Sequence, residues 1–298
     1  MRKGGRRMWK YYLLSTLLKI VRFVPARVCY QVASVVSLVV YVLAWRTRRA
    51  VKRNVRVVLG PEASNGQVSI TARAIFRYAI WGYADLLRVG NFTEDKYLTF
   101  AYTEIELDGL EYLRKARETG RGIVFAGAHF AGGEMATLAL PALGYDILVP
   151  AEPLEPKRLN ELLHRIRNSV GREVYLPIST DVLKQTLKRL REGRMVGLII
   201  DRAIQDTGIS VSFFGRETKL PTGAAELAVR TDSLIIPASC SRKSPFKIRV
   251  QIFPAFDPNQ SGDQKQDIRN AVLYLVSFLE ESIRRDPTQW AILQPVWN

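Results

Sequence analysis

Apolar positions along the chain fall into two regimes. Within residues 1–60 they form long runs, WKYYLLSTLLKIVRFVP over 9–25 and VCYQVASVVSLVVYVLAW over 28–45. Both runs have the length of helices rather than strands. Past a predicted helix at about 70–88, the runs shorten and alternate in type. Val- and Ile-rich strands are predicted at 122–128, 146–149, 173–176, 195–200, 210–213, 234–238 and 247–253. Helices are predicted between them at 110–118, 133–143, 156–169, 181–192 and 223–230, with a last one at 264–285. This alternation predicts an α/β fold, a mostly parallel central sheet flanked by helices. The composition breaks at Gly60-Pro61, dividing an amino-terminal helical element (1–60) from an α/β domain (61–298).

Charge sharpens that division. The chain of 298 residues has a formal net charge of +16, and residues 1–60 hold 14 Lys and Arg with no Asp or Glu. The remainder carries 30 basic and 28 acidic residues, a net of only +2. The run at 28–45 has no formal charge over its eighteen residues and lies between Arg27 and the Arg46, Arg48, Arg49 cluster. At about 1.5 Å per residue it only just approaches a bilayer core of about 30 Å. Both flanks are basic, so the asymmetry that orients a span is missing. Arg46, Arg48 and Arg49 also stand where a signal peptide would need small residues for cleavage. A buried core helix with basic neighbours fits the run. A helical pair lying on or dipping into a membrane, facing anionic headgroups, explains the charge as well. A nucleic-acid arm has no reason to be this apolar, so no nucleic-acid partner is expected.

Two cysteines, Cys29 and Cys240, and two histidines, His129 and His164, supply no disulfide framework and no metal site. His164 sits on a basic helical run and reads as a surface residue. His129 follows the strand-like run 122–128 in the stretch GAHFAGGE and precedes Glu134 by five positions. On one straight helix that spacing leaves the two about 140° apart, so cooperation requires a turn, which Gly132 and Gly133 permit. A neutral imidazole in such a loop can take a proton from a hydroxyl, with a carboxylate fixing its tautomer. There is no GxSxG, so the nucleophile would be the substrate's own alcohol. Spacing alone leaves a helix-capping loop with an exposed histidine equally open.

His-x4-Glu after an apolar strand resembles the His-x4-Asp/Glu motif of glycerolipid acyltransferases. GLIIDRAIQDTGISVSFFGRETKLPTGAAELAVRTDSLIIPAS, at 197–239, resembles the Asp-rich turn, FFG and LA…P succession of the lipid A late acyltransferases. That family includes the phosphatidylinositol mannoside acyltransferases. The ending RRDPTQWAILQPVWN is similar to the family's terminal P-x-(Q/E)-W…W pattern. The likeness covers roughly residues 10–298, and the ordered set is far more specific than any one motif.

The resemblance implies transfer of a fatty acyl chain from acyl-CoA or acyl-carrier protein to a hydroxyl of a membrane glycolipid. It implies no cofactor and no metal, at the cytoplasmic face of the cell inner membrane. The FPEGT-type motif of phosphate-glycerol acyltransferases is absent, which favours a glycolipid over lysophosphatidic acid; a lysophospholipid acceptor and a non-catalytic lipid-binding protein are the alternatives. Carried over by position, His129 is the general base, Glu134 its motif partner, and Asp201 an acidic support for His129. Arg167 matches an Arg-x3-Gly pattern and would hold a substrate phosphate, or else be a solvated helical charge. Arg202 would bind an anion or pair with Asp201. Phe213, Phe214 and Gly215 would shape an acyl groove. Ala203 departs from the family, standing where an acidic residue is common.

Overall fold

A computed structural model describes residues 8–169, 175–203 and 208–297. The chain opens with four helices: α1 (Met8–Val21), α2 (Ala26–Leu43), α3 (Trp45–Leu59) and α4 (Asn65–Val89). Then follow α5 (Glu94–Glu104), β1 (Ile105–Asp108), α6 (Leu110–Glu118), β2 (Ile123–Gly127) and α7 (Gly133–Ala142). Next come β3 (Ile147–Ala151), α8 (Lys157–Arg167), β4 (Tyr175–Pro177), α9 (Thr180–Arg191) and β5 (Met195–Ile199). The chain finishes with β6 (Ile209–Phe213), β7 (Arg216–Leu220), α10 (Gly223–Thr231), β8 (Leu234–Ser244), β9 (Lys247–Ile252) and α11 (Gln264–Arg285). A short 3-10 turn at Pro287–Gln289 leads into the terminal segment.

Seven strands form one sheet in the order β1-β9-β8-β2-β5-β3-β4. Among the described residues its pairings are parallel except for β8 with β9. The expected α/β architecture with a mostly parallel sheet is therefore present. β2 lies at the centre and is buried on both sides, which is why IVFA is apolar without alternation. Ile123 and Phe125 face one core with α5, α6, α7 and α8, while Val124 and Ala126 face the other with α10 and α11.

Four elements went unpredicted. α3 is so rich in Arg that it reads as a flank, yet Val51, Asn54 and Val55 form a buried stripe along it. α5 and β1 are short and carry mixed burial. β7, with the sequence RETKL, is mostly exposed and, among the described residues, pairs only with β6 in a separate hairpin. β8 also runs past the expected 238 to Ser244. Residues 173 and 174 of the strand expected at 173–176 lie outside the described residues, as does Gly171 of the Arg-x3-Gly pattern.

α4 starts earlier than expected because Ser64 and Gln67 form a reciprocal capping box. It is the support on which α2 lies. The Trp81 indole N–H donates to the Ser34 hydroxyl at 2.9 Å, and Tyr41 meets Phe76 edge-on at 5.3 Å. A buried ion cluster pins the same interface. Asp85 of α4 accepts from the Tyr30 hydroxyl and from Arg242 of β8. Arg88 donates to Tyr30 at 2.6 Å and pairs with Glu104 at 2.9 Å.

The other side of α2 is bare. Val32, Val35, Leu38, Val42 and Leu43 are each more than half exposed. Among the described residues α2 is the one helix long and apolar enough to cross a membrane, with a mean hydropathy of 1.7 over eighteen residues. α1 adds Trp9, Tyr12 and Ile20 to the exposed apolar surface, and the turn after it adds Phe23.

Candidate active site

β2 and β5 are parallel neighbours whose last residues, Gly127 and Ile199, stand opposite one another. His129 and Asp201 each follow their strand end by two positions, so matched register brings them together at the carboxyl edge of the sheet. His129 Nδ1 lies 2.7 Å from Asp201 Oδ1, and the His129 backbone N–H donates to Oδ2 at 3.1 Å. The Trp290 indole N–H donates to the same Oδ2 at 2.7 Å.

Burial acts to raise the pKa of Asp201, but His129 and the Trp290 and backbone donors outweigh it and hold the carboxyl below its ordinary value. Asp201 is therefore an anion with 0% exposure. An anion can only accept, so neutral His129 carries its proton on Nδ1 and leaves Nε2 as the basic nitrogen. The charge of Asp201 pushes the His129 pKa above its usual value, against burial and the nearby Arg202 cation. The histidine side chain is 43% exposed while its Nδ1 faces the buried Asp201.

The loop is clamped from the far end of the chain. The Ala131 N–H donates to the Gln289 carbonyl at 2.7 Å, and the Ala291 N–H to the His129 carbonyl at 2.8 Å. Gln289 is itself held where its Oε1 accepts from the Arg242 N–H at 2.8 Å. Gly132 then turns the chain with φ of 80°, and a Cβ there would come within 2.9 Å of Ile248. Gly133 needs no such freedom; it begins α7 with open space around it.

Glu134 follows in the first turn of α7 but does not serve the imidazole. Its carboxylate accepts from the Arg167 Nε–H at the carboxyl end of α8. Burial works against the Arg167 charge, and Glu134 beside it more than compensates. The guanidinium lies over the buried Tyr175 ring at 4.7 Å. The turn demanded by the spacing exists, but it separates the two motif residues, and the carboxylate on Nδ1 comes from Asp201.

Arg202 does not pair with Asp201. It reaches Glu152, just past β3, at 3.1 Å, and its buried Nε has no partner among the described residues. Phe213 is fully buried, stacked on Trp297 at 5.5 Å and edge-on to Trp290 at 6.1 Å. Phe214 and Gly215 form the two-residue turn between β6 and β7, with φ of 52° and 70°. Both left-handed values suit a hairpin turn matched to the strand twist. The Phe214 N–H donates to Glu280 at 2.5 Å. The FFG segment thus packs behind Trp290. Residues 204–207, within the expected acidic turn, lie outside the described residues.

The family model for bacterial lipid A biosynthesis acyltransferases matches residues 5–298. The chain belongs to this family. It is similar to phosphatidylinositol mannoside acyltransferases from Mycobacterium tuberculosis, at 32% identity over 197 residues in strain CDC 1551 / Oshkosh, covering 64% of this chain and 59% of that protein. The corresponding protein of Mycolicibacterium smegmatis is 27% identical, with 65% and 62% covered. The matches thus span under two thirds of these relatives' lengths. A solved 1-acyl-sn-glycerophosphate acyltransferase from Thermotoga maritima aligns over 92% of this chain and 98% of that one, at 14% identity and a TM-score of 0.34.

Sequence reasoning about this family member passed over Trp290, Gln289 and Tyr175 as site residues. The terminal P-x-(Q/E)-W pattern contained the first two of these, but only as a resemblance. Nothing local shows that an indole at 290 reaches an aspartate 89 positions earlier.

Proposed function

We propose that the protein transfers a fatty acyl chain from a thioester, acyl-CoA or acyl-carrier protein, to a hydroxyl of a membrane glycolipid. The observation that carries this is the part-exposed His129, held at Nδ1 by the buried, ionised Asp201 so that Nε2 is its basic nitrogen. Nε2 takes the proton of the acceptor hydroxyl as its oxygen attacks the thioester carbonyl. Asp201 stabilises the imidazolium, as an anion does in hydrolytic triads, without itself taking a proton. When the tetrahedral intermediate collapses, the carbon–sulfur bond breaks and the imidazolium proton passes to the departing sulfur. The new ester stays on the acceptor, and the protein supplies no covalent nucleophile.

Trp290 fixes the second oxygen of Asp201, and Phe213 and Trp297 seat that indole. Glu134 and Arg167 form a set pair that ties α7 to α8 beneath the loop and presents a guanidinium edge to an anionic substrate group. Arg202, with an unpartnered buried N–H and a charge felt by His129, is assigned to a further anionic group. The exposed apolar faces of α1 and α2 support a seat on a membrane, and the proposed location is its cytoplasmic surface, where a glycolipid hydroxyl would be presented.

The test is acyl transfer by purified protein from labelled acyl-CoA or acyl-carrier protein. Phosphatidylinositol mannoside, lipid A precursor and lysophosphatidic acid are offered as separate acceptors. A glycolipid product gaining one acyl chain, lost on His129→Ala with folding intact, is the expected result. Full turnover in His129→Ala overturns the mechanism, and preference for lysophosphatidic acid overturns the acceptor class.

A further inference from the structure

A cleft of about 810 Å³ opens between α3, the β6–β7 hairpin and the terminal segment, and neither His129 nor Asp201 lines it. Arg48, Arg49, Lys52, Arg53 and Arg56 line it from α3, Arg216 from the start of β7, and Trp297 from the carboxyl terminus. No acidic residue lines it. Among the described residues, none of the six cations has an ion-pair partner, whereas Arg121, Arg167, Arg189 and Arg242 elsewhere in the fold each have one. Six like charges around one cavity repel one another, and a fold keeps such an arrangement at a cost that an anion would remove.

Two of the cations are set in place by carbonyls rather than carboxylates. Arg48 donates to the carbonyls of Tyr41 at 3.0 Å and Val42 at 3.1 Å, and Arg56 to that of Ala63. Their positions are fixed while their charge remains uncompensated. The wall is held too: Asn54 of α3 donates to the Gln294 carbonyl at 2.7 Å and accepts from the Val296 N–H at 3.3 Å. The basic face of α3 and the terminal tryptophan are therefore one rigid unit. A volume of about 810 Å³ exceeds what an isolated phosphate needs and falls in the range of pockets for whole organic ligands, about 300–1,000 Å³.

The location names the ligand. The cleft begins at Trp45, directly after the bare end of α2, where Val42 and Leu43 are 62% and 72% exposed. An apolar helix end followed by an exposed tryptophan and a row of arginines is the order of layers met in passing from acyl chains to headgroups. We propose that this cleft is a binding site for the phosphate-bearing headgroup of an anionic membrane lipid, separate from the site at His129. This rests on the membrane placement of α1 and α2 given above. The bound headgroup fixes the depth and tilt of the protein on the bilayer. It does so through the wall that ends in Trp297, whose stacking on Phe213 continues to Trp290 and Asp201.

The test uses the full chain and two triple variants of equal charge change. Arg49→Gln/Arg53→Gln/Arg216→Gln alters exposed cleft cations whose side chains make no hydrogen bond among the described residues, so folding is expected to be preserved. Lys10→Gln/Lys19→Gln/Arg22→Gln alters exposed cations of α1 and the turn that follows it, outside the cleft. Binding is measured to monomeric dihexanoyl phosphatidic acid, to inorganic pyrophosphate, to an acidic acyl-carrier protein, and to vesicles of phosphatidylglycerol with phosphatidylcholine. The cleft variant is expected to lose at least about tenfold in affinity for the short-chain lipid, with the α1 variant unchanged. Equal loss in both variants would show a diffuse charge film and overturn the site, leaving membrane attachment intact. Tighter cleft-dependent binding of pyrophosphate, or of carrier protein with the lipid isotherm unaltered, overturns the lipid as ligand. If short-chain lipid binds through the cleft while vesicles fail to bind the wild type, the site stands and membrane placement falls.

Discussion

Asp201, not Glu134, holds the imidazole of His129: the two residues meet at 2.7 Å across 72 positions of sequence. Glu134, five positions away, is turned towards Arg167 instead. Glu134 and His129, the proposed base, are thus separated by their partners as well as by the left-handed turn at Gly132.

If His129 is the base proposed above, the rate should rise with pH as it loses its proton. Because Asp201 raises the His129 pKa, the acidic limb of kcat/KM should lie above the ordinary histidine value of 6.5. Asp201→Asn should lower the plateau by about 10²–10⁴-fold and move the limb to lower pH. A pH–rate profile checks both, and an unmoved limb would assign the titration to another group.

The same pair predicts a stability window. His129, with its folded pKa raised, contributes fully below its unfolded value of 6.5 and loses that contribution as pH rises through the folded value. Asp201, with its pKa depressed, contributes above its unfolded value of 3.8 and loses that as pH falls through its folded value. Melting curves of wild type against His129→Ala should therefore differ most between these two values.

Glu134→Gln should leave the acidic limb where it is, since Asp201 sets it. Its consequence is structural. With Arg167→Ala, a double-mutant cycle should give a coupling on the order of 1–3 kcal/mol in denaturant unfolding. A coupling near zero would show that the pair does not tie α7 to α8.

Trp290→Phe keeps the bulk but removes the indole donor to Asp201. A hydrogen bond to a charged group is worth about 1.5–3 kcal/mol, so unfolding free energy should fall by about that much, with activity falling alongside. Unchanged stability would mean that water replaces the donor at a carboxylate the fold keeps fully buried.

The two neighbouring glycines should part company. Gly132→Ala meets Ile248 at 2.9 Å in a left-handed backbone and should cost at least about 1–2 kcal/mol. Gly133→Ala lies in helical backbone with open space and should be neutral or stabilising by up to about 1 kcal/mol. Thermal melts of the two variants decide it.

Much of the fold was legible because its signals are local. The strand IVFAG, buried on both faces, reads as a continuous apolar run, and α11 reads from its helical periodicity. The missed elements lack such signals. α3 buries a narrow stripe under many arginines, and β7 is a polar strand paired with the other arm of its hairpin. Local spacing could demand a turn between His129 and Glu134, and it did. It could not assign the carboxylate on Nδ1, since that depends on which strand lies beside β2.

The chain by itself determined the alternation of strand and helix, the placement of His129 at a strand end, and the apolar, basic amino terminus. These follow from periodicity and composition, which neighbouring residues carry. Tertiary structure alone decided that β5 pairs with β2 in register, and so that Asp201 meets His129. It decided also that Trp290 closes on Asp201 and that six arginine and lysine side chains surround one cleft. Those relationships join residues far apart in sequence, and only packing brings them within the few ångströms at which hydrogen bonds and charges act.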